Sequence, residues 1–526
     1  MSDSPWQTIP QLVDDAAARF DRAQALVDGP IDWTFAELRD QIHLATRALM
    51  ASGVESGTRV AIWAPNIWEW VVAALGVHCA GGVLVPINTR FKGLEAGYVL
   101  DRAGAEMLFT VTDFLDTDYI ELLADADAGG AIRETVVLRG AVPAGAVAFD
   151  AFLSRAQTVS DDERVARSGA VSGDDRCHIM FTSGTTGAPK GAQLIHSAVM
   201  RGYNDWADII GLEQGDRYLI VNPFFHAFGL NAGILACLMK GACILPHAVF
   251  DVQQVMDRVP ADRVSMLPGP PAIYQTILNH PRLADFDMST LRLAVTGAAA
   301  IPVEMIEQMR DRLGFEKIVT GYGLTEGSGL ATMCRHDDPP EVIAATSGRA
   351  MPGIEVAVVD DATVEVPRGH PGEIVIRGYN VMLGYLDDPD QTSETIDADG
   401  WLHTGDIGVM DGNGYIDITD RKKDMYICGG FNVYPAEVES MMLAHPHIGQ
   451  VAVVGMPDER LGEVGCAFVV PAPDVQPGEH EIVSWSHERM ANYKAPRRVR
   501  VVDALPLNAS GKVLKYELRQ LAAEES

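Results

Sequence analysis

The chain has 526 residues, 47% of them hydrophobic, and carries a formal net charge of −31 at pH 7. The length predicts a protein of several domains, and the hydrophobic content is typical of a globular protein with a large core. So strong a negative charge argues against nucleic acids and anionic membrane surfaces as partners. The charge is uneven, because residues 421–526 hold 12 basic and 14 acidic residues and are therefore nearly neutral.

The cysteines, the start of the chain and its longest uncharged run predict a cytoplasmic protein with no membrane span. None of the seven cysteines forms a Cys-x-x-Cys pair, and several lie in apolar runs, which indicates reduced thiols in the core. The first residues lack a basic and then apolar signal segment. The longest uncharged run, residues 218–239, contains Asn222-Pro223 and His226, so we expect a strand, a loop and a buried helix there.

Strands and helices alternate through about the first 340 residues. Residues 59–86 are predicted to form a strand, a helix that ends at Gly81-Gly82, and a second strand. Further strands are predicted at residues 264–267 and 291–295. This alternation favours an α/β fold of mostly parallel sheets covered by helices.

From about residue 345 the pattern changes to short strands and turns. Strands are predicted at residues 372–378 and 414–418, which indicates a β-rich subdomain at about 345–420. We therefore predict an N-terminal domain over residues 1–420 that includes this subdomain.

A small α+β domain is predicted over residues 421–526. It follows the charged cluster at 421–424, where we place the domain boundary. Strands are expected at 451–454 and 467–470, and a helix at 478–491.

The segment at residues 182–191 concentrates hydroxyls, glycines and a lysine after a predicted buried strand at 177–181. Its sequence is Thr182-Ser183-Gly184-Thr185-Thr186-Gly187-Ala188-Pro189-Lys190-Gly191. Glycines let a backbone approach an anion, and successive N–H groups can then hold phosphate oxygens. The spacing fits neither the Walker nor the Rossmann phosphate motif. A surface loop of small polar residues is the alternative interpretation.

An aromatic segment with one histidine occurs at residues 223–229. Considered by itself, His226 is a buried or loop histidine with its hydrogen bonds satisfied. Beside a bound organic acid, its ring could form a wall of the acid's path and donate a hydrogen bond.

A tyrosine, a threonine and a carboxylate follow the predicted strand at residues 317–320, in Tyr322-Gly323-Leu324-Thr325-Glu326. A carboxylate beside a triphosphate is a natural partner for Mg²⁺, which prefers oxygen ligands shared with phosphates. The alternative is a turn between a strand and a helix, with Thr325 as the helix N-cap. Thr325 could serve both purposes.

A second carboxylate, Asp406, follows a glycine in the segment 401–406. It could accept hydrogen bonds from ribose hydroxyls. The alternative is an ordinary Asx turn.

Two segments near the C-terminus also combine charge with glycine. Residues 421–439 join a basic cluster to Gly429-Gly430 and to a helix that we expect to begin at Pro435. A solvated linker is the alternative there. Lys512 lies in a Pro-Leu-Asn-Ala-Ser-Gly-Lys segment, and by itself it is an exposed turn lysine.

Five of these segments occur in the order and spacing of the adenylate-forming superfamily, and the resemblance covers residues 8 to 520. This superfamily includes acyl-CoA synthetases, adenylation domains of peptide synthetases and firefly-type luciferases. The resemblance implies that the protein activates a carboxylic acid with ATP and Mg²⁺ as an acyl-adenylate. It further implies release of pyrophosphate and transfer of the acyl group to coenzyme A.

The same resemblance implies the roles of individual residues. The β- and γ-phosphates would be held by Thr182, Ser183, Gly184, Thr185, Thr186, Gly187 and Lys190. The adenine would be flanked by Gly297, Ala298, Ala299 and Tyr322, with Gly323 in the same nucleotide site. The α-phosphate would be contacted by Thr325, the magnesium by Glu326, and the ribose by Asp406 and Arg421. In the adenylation step, the acid carboxylate and the α-phosphate would be bridged by Lys512.

Lys423 matches the family's hinge position, about which the C-terminal domain turns between the two steps. The turn would withdraw Lys512 and bring Gly429-Gly430 beside the path of the pantetheine. The resemblance thus implies a mobile C-terminal domain. It also shifts the role of the central catalytic lysine from Lys190 to Lys512.

Within this superfamily, the His226 loop favours a stand-alone acyl-CoA ligase. The loop lacks the aspartate with which amino-acid-activating members hold the α-ammonium group of their substrate. Three segments, at 222–229, 267–271 and 424–439, resemble actinobacterial acyl-CoA ligases of steroid breakdown, which activate the propionate side chain of a two-ring remnant. A ligase for medium-chain fatty or aromatic acids is the alternative. A non-catalytic nucleotide- or acyl-binding protein is the alternative of another class. A homodimer is the assembly considered.

Overall fold

The structure is a computed structural model that describes residues 4–126, 128–182, 189–296, 303–360, 362–421, 425–433, 435–472, 475, 477–506, 513 and 515–523. The strands are β1 (Gln24–Asp28), β2 (Ile31–Thr34), β3 (Arg59–Trp63), β4 (Val83–Pro86), β5 (Met107–Val111), β6 (Glu134–Arg139), β7 (Val147–Ala148), β8 (Arg176–Thr182), β9 (Lys190–Ile195), β10 (Arg217–Ile220), β11 (Cys243–Pro246), β12 (Leu293–Thr296), β13 (Lys317–Tyr322), β14 (Thr332–Met333), β15 (Arg349–Ala350), β16 (Ile354–Val359), β17 (Pro371–Gly378), β18 (Leu402–Met410), β19 (Ile416–Arg421), β20 (Tyr426–Cys428), β21 (Phe431–Val433), β22 (Ile448–Asp458), β23 (Gly462–Pro471) and β24 (Arg498–Val501).

The α-helices cover the sheets and connect their strands. They are α1 (Ile9–Phe20), α2 (Phe35–Ala51), α3 (Trp68–Cys79), α4 (Gly93–Ala103), α5 (Tyr119–Asp125), α6 (Phe149–Ser154), α7 (Asp161–Gly169), α8 (His196–Ile210), α9 (Ala227–Gly229), α10 (Ala236–Lys240), α11 (Val252–Ala261), α12 (Pro271–Leu278), α13 (Val303–Leu313), α14 (Pro340–Ala345), α15 (Pro389–Thr395), α16 (Pro435–Met442), α17 (Glu479–Arg489) and α18 (Lys515–Ala523). No described helix combines the length and the apolar character that crossing a membrane requires.

A seven-stranded sheet with the order β7-β6-β5-β3-β4-β8-β9 forms one centre of the fold. Its strands are parallel except for β9, which pairs with β8 as an antiparallel hairpin. The predicted βαβ unit is present as β3, α3 and β4. Helix α3 is apolar on nearly every side because it packs in the interior, where all of its residues but the first are buried.

A second sheet includes β13, the strand that carries Tyr322 and pairs with the antiparallel β14. Strands β10, β11 and β1 are parallel, and so are β12 and β13. Met266 bridges the two groups, because it pairs with both Tyr218 and Leu293. The strand predicted at 264–267 is thus reduced to a single bridging residue, Met266. The two sheets together confirm the predicted α/β fold.

The later part of the chain forms an antiparallel sheet and a mixed sheet. Strands β16 to β19 follow one another in order, as predicted for the β-rich segment. The last sheet has the order β21-β20-β23-β22 with β24 beside β23, and it packs with α16, α17 and α18. The domain boundary at 420–424 stays a prediction, since residues 422–424 lie outside the described residues.

The uncharged run at 218–239 differs from the prediction in its helical part. Instead of one buried helix, a π-helical turn at Leu230–Leu235 separates α9 from α10. A π turn holds an extra residue, so it shifts the helix face that follows it, and hydrophobic periodicity does not reveal it. The prediction for the cysteines is confirmed, because all seven are buried and none forms a disulfide.

Candidate active site

Thr182 and Glu326, 144 positions apart in the chain, meet at the end of the seven-stranded sheet. Thr182 is the last residue of β8, and its hydroxyl donates a hydrogen bond of 3.1 Å to Glu326 Oε1. The same carboxylate oxygen accepts a hydrogen bond of 2.9 Å from the hydroxyl of Tyr385. The strand that precedes the hydroxyl-rich segment therefore ends beside the carboxylate predicted to hold magnesium.

Lys190 begins strand β9 and pairs directly with Thr182 across the hairpin. Its ammonium donates a hydrogen bond to Gln391 Oε1 and lies 5.2 Å from the ring centroid of Tyr385. The two ends of the segment 182–190 are thus held side by side. Two hydroxyls, an ammonium and a carboxylate share this small region, which suits an anion and its counter-ion.

Thr325 lies next to Glu326 in a short 3₁₀ turn at Thr325–Gly327. The alternative interpretation of Thr325 as a helix N-cap is wrong, because Leu324 occupies the cap position and makes no capping hydrogen bond through its side chain. Gly323 precedes the turn at a point of very close approach. A Cβ there would lie 2.2 Å from the carbonyl oxygen of Gly329, so only glycine fits.

Tyr322 and Asp406 form a hydrogen-bonded pair. The Tyr322 hydroxyl donates to Asp406 Oδ2 at 2.6 Å. Asp406 lies inside β18 and pairs in the backbone with Arg421 of β19, so the alternative of an ordinary Asx turn is wrong. The pairing of β18 with β19 shifts register just beyond Asp406, between Ile407 and Gly408.

His226 lies in a loop that a buried asparagine holds in place. The side chain of Asn66 donates to the carbonyl oxygen of Asn222 at 2.9 Å and accepts from the backbone N–H of Phe224 at 2.8 Å. The His226 side chain is exposed, yet protein atoms surround it closely enough for desolvation to lower its pKa. Neighbouring protein atoms therefore exclude water from part of the His226 ring.

Gly429 and Gly430 form the turn between β20 and β21. Their φ angles are +58° and +83°, and two consecutive positive φ angles define the tight hairpin turn in which glycine is favoured. The turn approaches Pro270, because a Cβ on Gly430 would lie 3.7 Å from the Pro270 side chain. The next residue, Phe431, lies beneath the Arg90 guanidinium. The guanidinium carbon is 4.3 Å from the centroid of the Phe431 ring.

Several predicted site residues lie outside the described residues. They are Ser183, Gly184, Thr185, Thr186, Gly187, Gly297, Ala298, Ala299, Lys423 and Lys512. Their roles stay predictions. The residues around them are described, including both ends of the segment 182–190 and the strand β12 that precedes Gly297.

Glu326 offers an oxygen suited to a divalent cation. Its Oε1 accepts two hydrogen bonds, and among the described residues no donor reaches Oε2. A carboxylate oxygen left open beside hydroxyls and an ammonium fits Mg²⁺ shared with phosphates.

A second group of ligand-type side chains, His445, His447 and Glu481, fits a metal poorly. The backbone N–H of His447 donates to Nδ1 of His445 at 3.1 Å. Neutral His445 then carries its proton on Nε2, the nitrogen that faces Glu481 at 3.8 Å, so it has no lone pair for a metal there.

Comparison with known families identifies the chain. The model of the AMP-binding enzyme family matches residues 13–386, and that of the AMP-binding enzyme C-terminal domain matches residues 437–512. The chain belongs to the AMP-binding enzymes. The predicted membership of the adenylate-forming acyl-CoA synthetases is confirmed.

Two curated AMP-binding relatives match along almost their entire lengths. A 3-[(3aS,4S,7aS)-7a-methyl-1,5-dioxo-octahydro-1H-inden-4-yl]propanoyl:CoA ligase of Rhodococcus jostii is 47% identical over 524 residues, which cover 99% of this chain and 99% of the relative. The ligase of the same name from Mycobacterium tuberculosis is 47% identical over 515 residues, which cover 98% and 99%. A solved structure, the fatty acyl CoA synthetase of Mycobacterium tuberculosis, superposes with a TM-score of 0.72 at 31% identity and covers 99% of this chain and all of that one.

Three residues of this candidate site were missed by the sequence analysis. Tyr385 and Gln391 contact the predicted residues Glu326 and Lys190, and Asn66 holds the His226 loop. Tyr385 follows Gly384, so an aromatic residue after a glycine was an available signal, although a weak one. A lone buried asparagine gives no comparable signal in a single sequence.

Proposed function

We propose that the protein is an ATP-dependent acid–CoA ligase that acts on a ring-bearing propionate of the kind produced by degradation of steroid rings. The observation that carries the proposal is the hydrogen bond from Thr182 to Glu326, because it joins the hydroxyl-rich segment to the carboxylate. The substrate class is supported by the two relatives at 47% identity, whose names specify a bicyclic dione with a propanoyl chain.

The phosphates of ATP are assigned to the region between Thr182 and Lys190. Residues 182–187 and Lys190 would hold the β- and γ-phosphates, and Thr325 would contact the α-phosphate. Mg²⁺, bound through Glu326, would neutralise charge on the phosphates. The hydroxyls and the ammonium described around Glu326 support this placement.

The nucleoside is assigned to the neighbouring strand ends. The adenine would lie between Tyr322 and residues 297–299, and the ribose would bind Asp406 and Arg421. The hydrogen bond between Tyr322 and Asp406 supports this assignment, since it brings an aromatic ring and a carboxylate together.

The first reaction joins the acid to AMP. An oxygen of the acid's carboxylate attacks the α-phosphorus, the bond from that phosphorus to the bridging oxygen breaks, and pyrophosphate leaves. The chain's task is to position the acid and to stabilise charge on the α-phosphate. We assign this bridging role to Lys512, and the wall of the acid's path to His226.

The second reaction transfers the acyl group to coenzyme A. The thiol sulfur attacks the acyl carbon and loses its proton, and AMP leaves with the electrons of the broken carbon–oxygen bond. We propose that residues 421–526 turn about Lys423 relative to residues 1–420, whose β-rich part spans about 345–420. The close approach of Gly430 to Pro270 supports a second-step arrangement in which Gly429-Gly430 lies against residues 1–420.

We further assign the enzyme to the cytoplasm and consider a homodimer as its assembly. Seven buried cysteines without a disulfide support a reducing compartment.

Two assays test the proposed function. Acid-dependent exchange of label between pyrophosphate and ATP reports the first step, and consumption of CoA over a panel of acids reports the substrate class. We expect turnover with alicyclic propionates. Good turnover only with octanoate or benzoate would replace that substrate with a medium-chain or aromatic acid. Absence of exchange with every acid would favour a non-catalytic binding protein.

A further inference from the structure

The segment at residues 382–392 ties the two halves of the phosphate region together through its backbone. The N–H of Met382 donates to the carbonyl oxygen of Glu326 at 2.8 Å. The N–H of Leu386 donates to the carbonyl oxygen of Gly191 at 2.8 Å, one residue beyond Lys190. The segment therefore fixes Glu326 and Lys190 relative to each other, and Tyr385 lies between these two anchor points.

The side chain of Tyr385 contacts both functional groups. Its hydroxyl donates to Glu326 Oε1 at 2.9 Å, and its ring lies 5.2 Å from the Lys190 ammonium. Because Thr182 donates to the same oxygen, Oε1 is engaged from two sides. The carboxylate can then rotate only by breaking both hydrogen bonds, and its other oxygen keeps one orientation.

We propose that Tyr385 is a positioning residue that holds Glu326 Oε1 so that Oε2 is presented to the divalent cation of bound ATP. This inference rests on the proposed function. Groups that bind the far side of a metal ligand orient it, and their loss weakens metal affinity. The role assigned to Tyr385 involves no contact with the cation or the reacting atoms, so its effect passes through Glu326.

The chain offers a matched control in Tyr379. Like Tyr385, Tyr379 is half-buried and its ring lies beneath a cation, here the Arg201 guanidinium at 4.1 Å. Its hydroxyl is buried and has no hydrogen-bond partner among the described residues. Tyr385→Phe and Tyr379→Phe therefore remove the same atom and keep the ring and its cation contact, but only the first releases Glu326.

Binding of Mn²⁺ to the complex of enzyme and ATP, followed by electron paramagnetic resonance, measures the effect without turnover. We expect Tyr385→Phe to weaken Mn²⁺ binding about tenfold, the size expected for a hydrogen bond to a charged group. Tyr379→Phe should bind Mn²⁺ as the unmodified protein does. In pyrophosphate exchange, Tyr385→Phe should raise the half-saturating Mg²⁺ concentration by a similar factor.

The contrary outcomes separate the inference from the proposed function. Unchanged Mn²⁺ affinity in Tyr385→Phe, or an equal loss in Tyr379→Phe, would overturn the positioning role. Absence of exchange in the unmodified protein would overturn the proposed function, whereas the Mn²⁺ measurement would still decide the role of Tyr385. If Tyr385→Phe fails to fold, Thr182→Val removes the other donor to Oε1 and should weaken Mn²⁺ binding in the same way.

Discussion

Lys494 Nζ lies 2.9 Å from Glu95 Oε1, and both side chains are almost completely buried, at 1% and 5% exposure. Glu95 belongs to α4 in the first half of the chain, and Lys494 packs with the C-terminal sheet. Lys494 is also 2.6 Å from Glu437, so one ammonium joins two carboxylates. Burial would lower the pKa of Lys494, but Tyr493, Glu95 and Glu437 outweigh this effect and raise it. A charged contact therefore holds the C-terminal sheet against α4.

We predict that Glu95→Gln slows the second reaction and spares the first. If the C-terminal unit turns between the steps, only the arrangement seen here contains the contact with Glu95, and its loss destabilises that arrangement alone. Glutamine keeps an oxygen for the N–H of Lys92 at the start of α4. We expect about a tenfold slower thioester formation, corresponding to ~1.4 kcal/mol. Thioester formation from supplied acyl-adenylate and pyrophosphate exchange measure the two steps.

Glu121→Gln is the control for charge, because Glu121 is exposed on α5 and remote in sequence from the C-terminal sheet. It should leave both steps unchanged. An equal decrease of both rates in Glu95→Gln would mean that the contact supports folding and not one arrangement.

The sequence predicted elements whose signals are local. The strand, helix and strand at 59–86 have apolar runs punctuated by glycines, and the structure has β3, α3 and β4 there. The helix expected at Pro435 begins at that residue as α16. The start and end of such elements depend on residues that are close together in the chain, so a single sequence is enough to predict them.

The sequence could not predict contacts that depend on tertiary register. Tyr385 reaches Glu326 because its segment pairs with β9 and with the backbone of Glu326 at once. Asp406 follows a glycine, as in a turn, yet cross-strand hydrogen bonds place it within β18. In both cases the deciding interactions join residues far apart in the chain.

We predict that Lys512→Ala abolishes most adenylation and largely spares thioester formation from supplied acyl-adenylate. The reason is that the lysine acts on the α-phosphate in the first step and has left the site in the second. Loss of a positioned charge at a transition state costs about 10² to 10³ in rate. Pyrophosphate exchange and single-turnover thioester formation would measure this difference, and similar losses in both would contradict the assignment.

We predict that Lys423→Pro slows the second step more than the first. Proline fixes φ near −65° and removes a backbone N–H, so a hinge at this position would lose its freedom to turn. The same two half-reactions, compared with Lys317→Ala as a lysine substitution outside the hinge, would measure the effect. Equal slowing of the first step would count against a hinge at residue 423.

We predict that Tyr322→Phe weakens ATP binding and leaves the acid's KM unchanged. The hydroxyl holds Asp406 at 2.6 Å, so its loss frees the carboxylate that we assign to the ribose while the ring stays in place. A hydrogen bond to a charged group contributes about 1.5–3 kcal/mol, so we expect at least a tenfold increase in the ATP dissociation constant. Calorimetric titration with ATP would measure it, and an unchanged constant would remove Asp406 from the ribose site.

A cluster of buried histidines is expected to make the fold sensitive to mild acid. His78 Nε2 lies 3.2 Å from His178 Nδ1, and His178 Nε2 lies 3.1 Å from the Asn231 amide oxygen. His196 packs beside them and accepts the backbone N–H of Ile9 at 3.2 Å. Burial lowers the pKa of His178 to about 4 and that of His196 to about 3, and burial together with the two neighbouring rings lowers the pKa of His78 well below its usual value.

We predict that the free energy of unfolding decreases as the pH falls from about 6.5 toward 5. In this range the unfolded chain protonates these histidines and the folded protein does not, so protons favour unfolding. Each histidine contributes a slope of about 1.4 kcal/mol per pH unit once its unfolded form is fully protonated. His196→Asn keeps a hydrogen-bond acceptor for the backbone N–H of Ile9. It should reduce the slope by the contribution of one histidine, about 1.4 kcal/mol per pH unit. Urea midpoints from tryptophan fluorescence between pH 7 and 5 would measure both slopes, and equal slopes would show that His196 is protonated to the same extent in both states.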